Sequence, residues 1–257
     1  MRPCAFTGHP LGEHLRETAA LAQCLVRGGY ALTVVRRLRS LGLGAEPEQV
    51  VELAVLASIF HDTGKAAEHY QRQFEGDCTC AQGRDPSFKY HELISAVHLR
   101  RYFDLTRAYD DGLALLAEMA VLNHMHALRD YSAFKEVLDP QRWLPYDLRS
   151  ILEGSSVREE DVEALVSEVR GFDALDVEAF RRALPEKVRL NEEVRPLLNR
   201  ISEAESRRPF TKLYVALLLP VVVGDNLDAR KKRRDDSDHK GRKLFAEELE
   251  RLLEVTC

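Results

Sequence analysis

One dipeptide, His61-Asp62, constrains the fold most, because it places two polar groups at the end of an apolar helix. Residues 50–60 repeat apolar side chains at helical spacing, which predicts a buried helix. A buried imidazole beside a buried carboxylate is unfavourable without partners, and a divalent metal ion can bind both. A hydrogen-bonded His-Asp pair in the core is the alternative interpretation. Gly64 fits a left-handed position that ends a helix and returns Lys65 to the same place.

Four further apolar segments carry side chains that can bind metal ions. Each joins histidine or aspartate to an apolar pattern typical of a helix. Taken alone, one of these histidines is as easily explained by a core position or by an exposed helix start. An aspartate that directly follows an apolar run is costly without a partner, which favours a ligand role for it. The side chains are His14, His91, the pair His124 and His126, and Asp225.

The order of these motifs resembles the HD superfamily of metal-dependent phosphohydrolases. Three details resemble the HD nuclease of type I CRISPR systems in particular: Gly-Lys at 64–65, Tyr-Gln at 70–71, and His-Glu-x-x-Ser-Ala at 91–96. The resemblance extends over residues 8–229 and is densest in the first half of the chain. It implies an all-α fold, an HD-domain helical bundle with a two-metal site.

The resemblance also implies roles for individual residues. Asp62 would bridge two metal ions and, with Lys65, be catalytic, with the Lys65 ammonium on a phosphate oxygen. Histidine and carboxylate ligands without thiolates suit Mn, Fe, Co or Ni, and Mg is also possible. The first ion would be held by His14, His61 and Asp225, and the second by His91 with the histidines of segment 123–126.

The chain departs from the family pattern at the second ion. The family carries two adjacent histidines where this sequence has His124-Met125-His126. On a regular helix, side chains two residues apart point about 200° apart, so a continuous helix offers one of them to a given ion. We expect the helix to end here, with His124 a ligand and His126 a second, weaker one.

Other polar residues receive structural interpretations. His9 precedes Pro10 and is expected to be exposed, and His98 is expected to be structural or exposed. Asp228 lies one turn after Asp225 and reads as a cap or a surface acid. Cys78 and Cys80 could bind zinc with outside ligands, but two incidental thiols in a surface loop are favoured.

Composition predicts one domain that contains a substantial core. The chain has 257 residues with 45% hydrophobic content, and residues 1–257 are expected to form one HD nuclease domain. A helical insertion is expected at approximately 140–208, and a basic segment at 229–257. An odd number of cysteines, five, without framework spacing favours a reducing compartment.

No membrane segment or signal peptide is expected. The start of the sequence lacks a charged stretch followed by an apolar one. The longest apolar run, Leu213–Val223, is too short to span a bilayer and contains Pro220. We therefore expect a cytoplasmic protein without membrane contact.

Any nucleic-acid contact must come from a local patch, because the net charge is only −5. The basic run Arg230–Arg234 is the strongest such patch. A solvated surface segment and a contact with the DNA backbone are competing interpretations of it.

The resemblance predicts a metal-dependent phosphodiesterase, a nuclease that prefers single-stranded DNA and acts in CRISPR interference. The sequence contains no Gly-x-x-x-x-Gly-Lys-[Ser/Thr] phosphate loop, so a separate helicase subunit and an RNA-guided surveillance complex are the expected partners. Hydrolysis of a dNTP or cyclic nucleotide by the same metals is the alternative activity. An HD scaffold that binds metal only structurally is the alternative that is not an enzyme.

Overall fold

The fold is described from a computed structural model, which defines residues 2–80, 86–125 and 146–232. Helices dominate these residues, and the strands are two or three residues long, so the all-α prediction is confirmed. The helices are α1 (Leu11–Val26), α2 (Gly29–Ser40), α3 (Pro47–Phe60), α4 (Glu68–Gln71), α5 (His91–Thr106), α6 (Asp111–Asn123), α7 (Tyr146–Glu153), α8 (Glu159–Val169), α9 (Val177–Ala183), α10 (Arg195–Arg207) and α11 (Tyr214–Lys232).

Helix α3 is the central element of the core. It begins at Pro47, whose fixed φ suits the first helical position. A capping box between Glu46 and Gln49 supplies hydrogen-bond acceptors to backbone N–H groups at the N-terminus of the helix. Its second half, from Leu53 to Phe60, is completely buried. Helices α1, α2, α5, α6 and α11 pack against it, so the residues that follow α3 emerge inside the protein.

Helix α11 brings the C-terminal part of the described chain onto the N-terminal part. It packs against α1, α3 and α6. Gly224 allows the close approach to α1, since a β-carbon there would lie 2.8 Å from the carbonyl oxygen of Thr18. The close packing of α11 on α1 therefore requires glycine at this position.

Part of this helix, together with the 3-10 turn before it, is long and apolar enough to cross a membrane by the criterion of length and composition. This segment, Pro209–Ala229, has 21 residues. It carries the acidic residues Asp225 and Asp228 and packs against α1, α3 and α6. These features are typical of a core helix, which passes the same criterion.

Residues 146–207 form helices that belong to the same hydrophobic core. Apolar side chains of α7, α8, α9 and α10 join the main buried cluster. Helix α8 packs against α1, and α9 packs against α5. That this region is an insertion into a minimal HD domain stays a prediction.

Two small antiparallel hairpins lie near the N-terminus of α1. They are β1 (Cys4–Phe6) with β2 (His9–Pro10), and β3 (Phe74–Glu75) with β4 (Thr79–Cys80). Gly8 donates its N–H to the carbonyl oxygen of Cys78 at 2.9 Å, which connects the hairpins.

A disulfide between Cys4 and Cys78 links the same two hairpins. The interpretation of Cys78 as an incidental surface thiol is therefore wrong, although Cys80 is a free thiol. The partners are separated by 74 positions, so local spacing could not reveal the pairing. Intracellular proteins of hyperthermophiles also contain disulfides, so the bond does not decide the compartment.

Candidate metal centre

Asp62 lies at the centre of the candidate site. It follows the C-terminal end of α3, and only 1% of its surface is exposed. Its two carboxylate oxygens face two different sets of side chains. Burial alone would raise the pKa of this carboxyl, but the Lys65 ammonium, followed by the neighbouring histidines, holds the pKa well below its usual range.

The first set of ligands faces Oδ2 of Asp62. Nε2 of His14 lies 3.1 Å from this oxygen, and Nε2 of His61 lies 3.4 Å from it. Oδ1 of Asp225, from helix α11, lies 3.3 Å from Nε2 of His14 and 4.0 Å from Nε2 of His61. One donor atom from each of these four residues lies within 4.8 Å of all the others. The predicted first ligand set therefore comes together in space.

The second set faces Oδ1 of Asp62. Nε2 of His91 lies 2.8 Å from this oxygen, and Nε2 of His124 lies 3.3 Å from it. The two Nε2 atoms are 3.1 Å apart. His91 is the first residue of α5, and His124 directly follows α6, so the expected helix end at His124 is confirmed.

Three histidines contact the backbone through Nδ1, which directs their Nε2 atoms toward Asp62. Nδ1 of His61, His91 and His124 contacts a backbone carbonyl oxygen three residues earlier, at 2.7, 2.6 and 2.7 Å. A carbonyl can only accept, so each Nδ1 carries the hydrogen and, in the neutral ring, each Nε2 presents a lone pair. The Nε2 atoms of His91 and His124 then face one another and Asp62 as acceptors only.

Such a cluster of acceptors is unfavourable without a cation between them. Within the described part of the chain, Nε2 of His61 and Oδ1 of Asp62 have no hydrogen-bond partner, although both are buried. A divalent ion on each side of Asp62 would satisfy these atoms, and imidazole with carboxylate is a common donor set for transition metals. The residues present therefore fit a two-metal centre.

Lys65 returns to the same carboxylate through a short turn. Residues Thr63–Ala66 form a 3-10 helix, and Nζ of Lys65 lies 2.6 Å from Oδ2 of Asp62. The ammonium also lies 5.0 Å from the centre of the Phe88 ring, a cation–π distance. The side chain of Lys65 is 14% exposed and that of Asp225 is 26% exposed, so the centre reaches solvent on this side.

The predicted left-handed conformation of Gly64 is wrong. Gly64 lies inside the 3-10 helix, and it is not among the glycines with positive φ. Glycine is required here by space, because a β-carbon would collide with the carbonyl oxygen of His91 and lie 3.0 Å from Oγ of Ser95. The N–H of Gly64 donates to that hydroxyl at 2.9 Å, which fixes the turn against α5.

Gly64→Ala should therefore destabilise the protein by about 1–3 kcal/mol and displace His91, because the packed helix cannot yield without cost. Denaturant unfolding measures the first effect, and loss of one bound metal ion measures the second. Gly44→Ala is the matched control, since a β-carbon there meets nothing within 4 Å. Equal stability of the two variants would contradict the collision.

Two residues that sequence reasoning placed outside the site contribute to it. His9 was expected to be exposed and Asp228 to be a cap or surface acid, yet each is only 1% exposed. Oδ2 of Asp228 lies 2.7 Å from Nδ1 of His14 and 2.8 Å from Nε2 of His9. The available signal was the spacing of Asp225 and Asp228, which places both carboxylates on one side of α11.

The carboxylates around His14 act on its pKa against the effect of burial. Burial lowers its pKa, but hydrogen bonds to Asp225, Asp228 and Asp62 together raise it well above the usual value. Burial alone would raise the pKa of Asp228, but its hydrogen bonds to His14 and His9 lower that pKa to about 2. This side of the centre therefore holds an excess of carboxylates that favours a cation.

Other predictions at the site have different outcomes. His98 is buried beside the Thr63 hydroxyl, at 3.2 Å, and burial lowers its pKa well below the usual value, which agrees with a structural role. His126 lies outside the described residues, as do the last two residues of the basic run Arg230–Arg234. Whether His126 is a ligand therefore stays a prediction.

The fold and this site define a class of protein. A helical core presents a His-Asp pair at the end of its central helix and surrounds it with histidines and a second aspartate, which is the arrangement of an HD-type metal centre. Residues 4–199 match the family described as Cas3, HD domain. The chain belongs to the Cas3 HD domain family.

The names of two relatives agree with this family, and a solved structure has a similar fold. A protein of Saccharolobus solfataricus named CRISPR-associated endonuclease Cas3-HD is 25% identical over 92% of each chain. A protein of the same name from Pyrococcus furiosus is 26% identical over 53% of this chain and 56% of its own length. The structure of a CRISPR-associated Cas3 HD domain protein from Methanocaldococcus jannaschii covers 86% of this chain and all of that one, with a TM-score of 0.50 and 21% identity. That likeness concerns the fold alone.

Proposed function

We propose that this CRISPR-associated HD nuclease hydrolyses phosphodiester bonds in single-stranded DNA with two divalent transition-metal ions. The observation that carries the proposal is the two-sided position of Asp62. Each of its oxygens faces a pair of histidine Nε2 atoms, at distances between 2.8 and 3.4 Å. A single carboxylate can therefore bridge both ions.

The described residues divide between the two ions. Asp62 belongs to both. The first ion would be held by His14, His61 and Asp225, and the second by His91 and His124. His126, which lies outside the described residues of this chain, would be a further ligand of the second ion. When bound, two such ions lower the pKa of a shared water, align it with the phosphorus and neutralise charge on the phosphate.

Lys65 is assigned to the phosphate. Its ammonium contacts Asp62 and is partly exposed. A bound phosphodiester would bring a non-bridging oxygen to this side of the centre, where negative charge increases in the transition state. Phe88 supports the ammonium from its ring face.

We assign DNA unwinding and target selection to partners. A helicase partner would supply single-stranded DNA. An RNA-guided surveillance complex would select the target. Both assignments rest on the family, whose curated relatives are named CRISPR-associated endonucleases.

A substrate panel tests the proposed activity. The purified chain should cut end-labelled single-stranded DNA without ATP, should need Mn, Co, Ni or Mg, and should lose activity with a chelator. Blunt duplex of the same sequence should remain largely intact. Efficient hydrolysis of dNTPs or cyclic nucleotides without DNA cleavage would instead support the nucleotide phosphohydrolase.

The second ion gives a separate prediction at the departure from the family pattern. His124→Ala should lower the occupancy of that ion and slow cleavage sharply, because Nε2 of His124 faces Oδ1 of Asp62 at 3.3 Å. His126→Ala should do so more mildly. Metal analysis of purified variants and initial cleavage rates measure the effects. If His124→Ala keeps the wild-type metal content and cleavage rate, His124 is not the ligand of the second ion.

A further inference from the structure

His14 differs from the other histidines of the centre in the group that holds its Nδ1. His61, His91 and His124 lie at helix ends, where the carbonyl three residues earlier contacts Nδ1. His14 is the fourth residue of α1, and inside a helix the carbonyls are occupied by the backbone ladder. It therefore needs an acceptor from elsewhere in the chain.

Asp228 supplies that acceptor from helix α11. Its Oδ2 lies 2.7 Å from Nδ1 of His14, and a carboxylate can only accept, so the hydrogen lies on Nδ1. Nε2 of His14 is then directed at Asp62 and Asp225, at 3.1 and 3.3 Å. With a metal ion at Nε2, this carboxylate would keep the hydrogen on Nδ1 and hold the orientation of the ring.

His9 holds the carboxylate in turn. Its Nε2 donates to the same Oδ2 at 2.8 Å, and its ring lies 4.8 Å from that of Phe6. Both His9 and Asp228 are 1% exposed, so water does not compete for these contacts. These three hydrogen-bonded side chains connect strand β2 (His9), helix α1 (His14) and helix α11 (Asp228).

We infer that Asp228 and His9 are positioning residues that tune the affinity of the first metal ion through His14. The inference rests on the proposed metal centre. A carboxylate behind a ligand histidine orients the ring and strengthens it as a donor, and loss of such a partner costs about 10–100-fold in metal affinity. Asp228, which lies on the same helix as the candidate ligand Asp225, would thus hold a ligand histidine in place instead of binding the ion itself.

Titration of the purified, metal-stripped protein with Co²⁺, followed by calorimetry and visible absorption, tests the inference. Asp228→Ala should weaken the first site by about 10–100-fold and leave the second site unchanged. Asp228→Asn should lose less, because its amide oxygen can still accept from Nδ1. His9→Ala should weaken the first site less than Asp228→Ala, and His9→Gln, which keeps a donor, should restore part of the affinity.

Asp161→Asn is the matched control. Asp161 is also a 1% exposed carboxylate, but it pairs with Arg158 at 2.8 Å and belongs to none of the groups of side chains that could hold a metal ion in the described part of the chain. Its substitution should leave Co²⁺ affinity unchanged at temperatures where every variant is folded. A merely structural role for Asp228 would lower thermal stability without altering affinity.

Wild-type affinity at both sites in folded Asp228→Ala would overturn the inference. Failure of the wild-type chain to bind Co²⁺ would also overturn it, and would contradict the proposed function as well. A wild-type chain that binds two ions but cuts no DNA would defeat only the proposed function. In that case the loss of affinity in Asp228→Ala would still support the positioning role.

Discussion

Asp62→Ala should abolish phosphodiester cleavage and release both metal ions. One carboxylate contacts ligands of both sets, with Oδ1 2.8 Å from His91 and Oδ2 3.1 Å from His14. Its loss therefore cannot be confined to one ion. Because the proposed mechanism depends on the paired ions, we expect a fall of at least about 10³-fold in the cleavage rate.

Two measurements check this result. Metal analysis of the variant should find neither ion at stoichiometric occupancy, and single-stranded DNA should remain intact in an assay that resolves the wild-type rate. Asp161→Ala, which removes a buried carboxylate outside the centre, should retain both ions and cleavage. Cleavage by Asp62→Ala at the wild-type rate would exclude the two-metal account.

Lys65→Ala should slow cleavage by about 10²–10³-fold while both metal ions stay bound, since a donor at developing negative charge contributes about that much. Lys65 contacts Asp62 but is not a metal ligand. Lys65→Arg should recover part of the rate, because it keeps the positive charge. The expected effect lies mainly in kcat.

Lys89→Ala is a suitable control for the loss of a lysine. Lys89 also lies over an aromatic ring, 4.9 Å from the centre of Tyr90, but it pairs with Asp147 on the exposed surface. Its removal should change cleavage little. If Lys65→Ala cleaves at the wild-type rate, the ammonium only neutralises Asp62. If it loses metal as well, its role is to hold the centre together.

The buried helices that carry the candidate ligands were predictable because their signals are local. Apolar spacing before His61 and around His14 and Asp225 indicated buried helices, and Pro47 marks the start of α3. Which of these side chains would meet was implied by the resemblance to the HD superfamily and not by the helix pattern itself. Their roles as metal ligands stay predictions that the geometry supports.

The features that sequence reasoning missed depend on contacts between distant segments. Nothing near His9 shows that it meets Asp228, which lies 219 positions later. The collision that requires Gly64 involves the backbone of His91, so the local turn chemistry gave the wrong reason for this glycine. The bond between Cys4 and Cys78 depends in the same way on how two hairpins dock.

Crystals grown with Mn²⁺ and measured at the manganese absorption edge test the central claim most directly. The account predicts two anomalous peaks about 3.5–4 Å apart, a spacing typical of two-metal sites. One should lie among His14, His61 and Asp225, the other beside His91 and His124, with an oxygen of Asp62 on each. A single peak, or two peaks of which only one contacts Asp62, would contradict a bridging carboxylate.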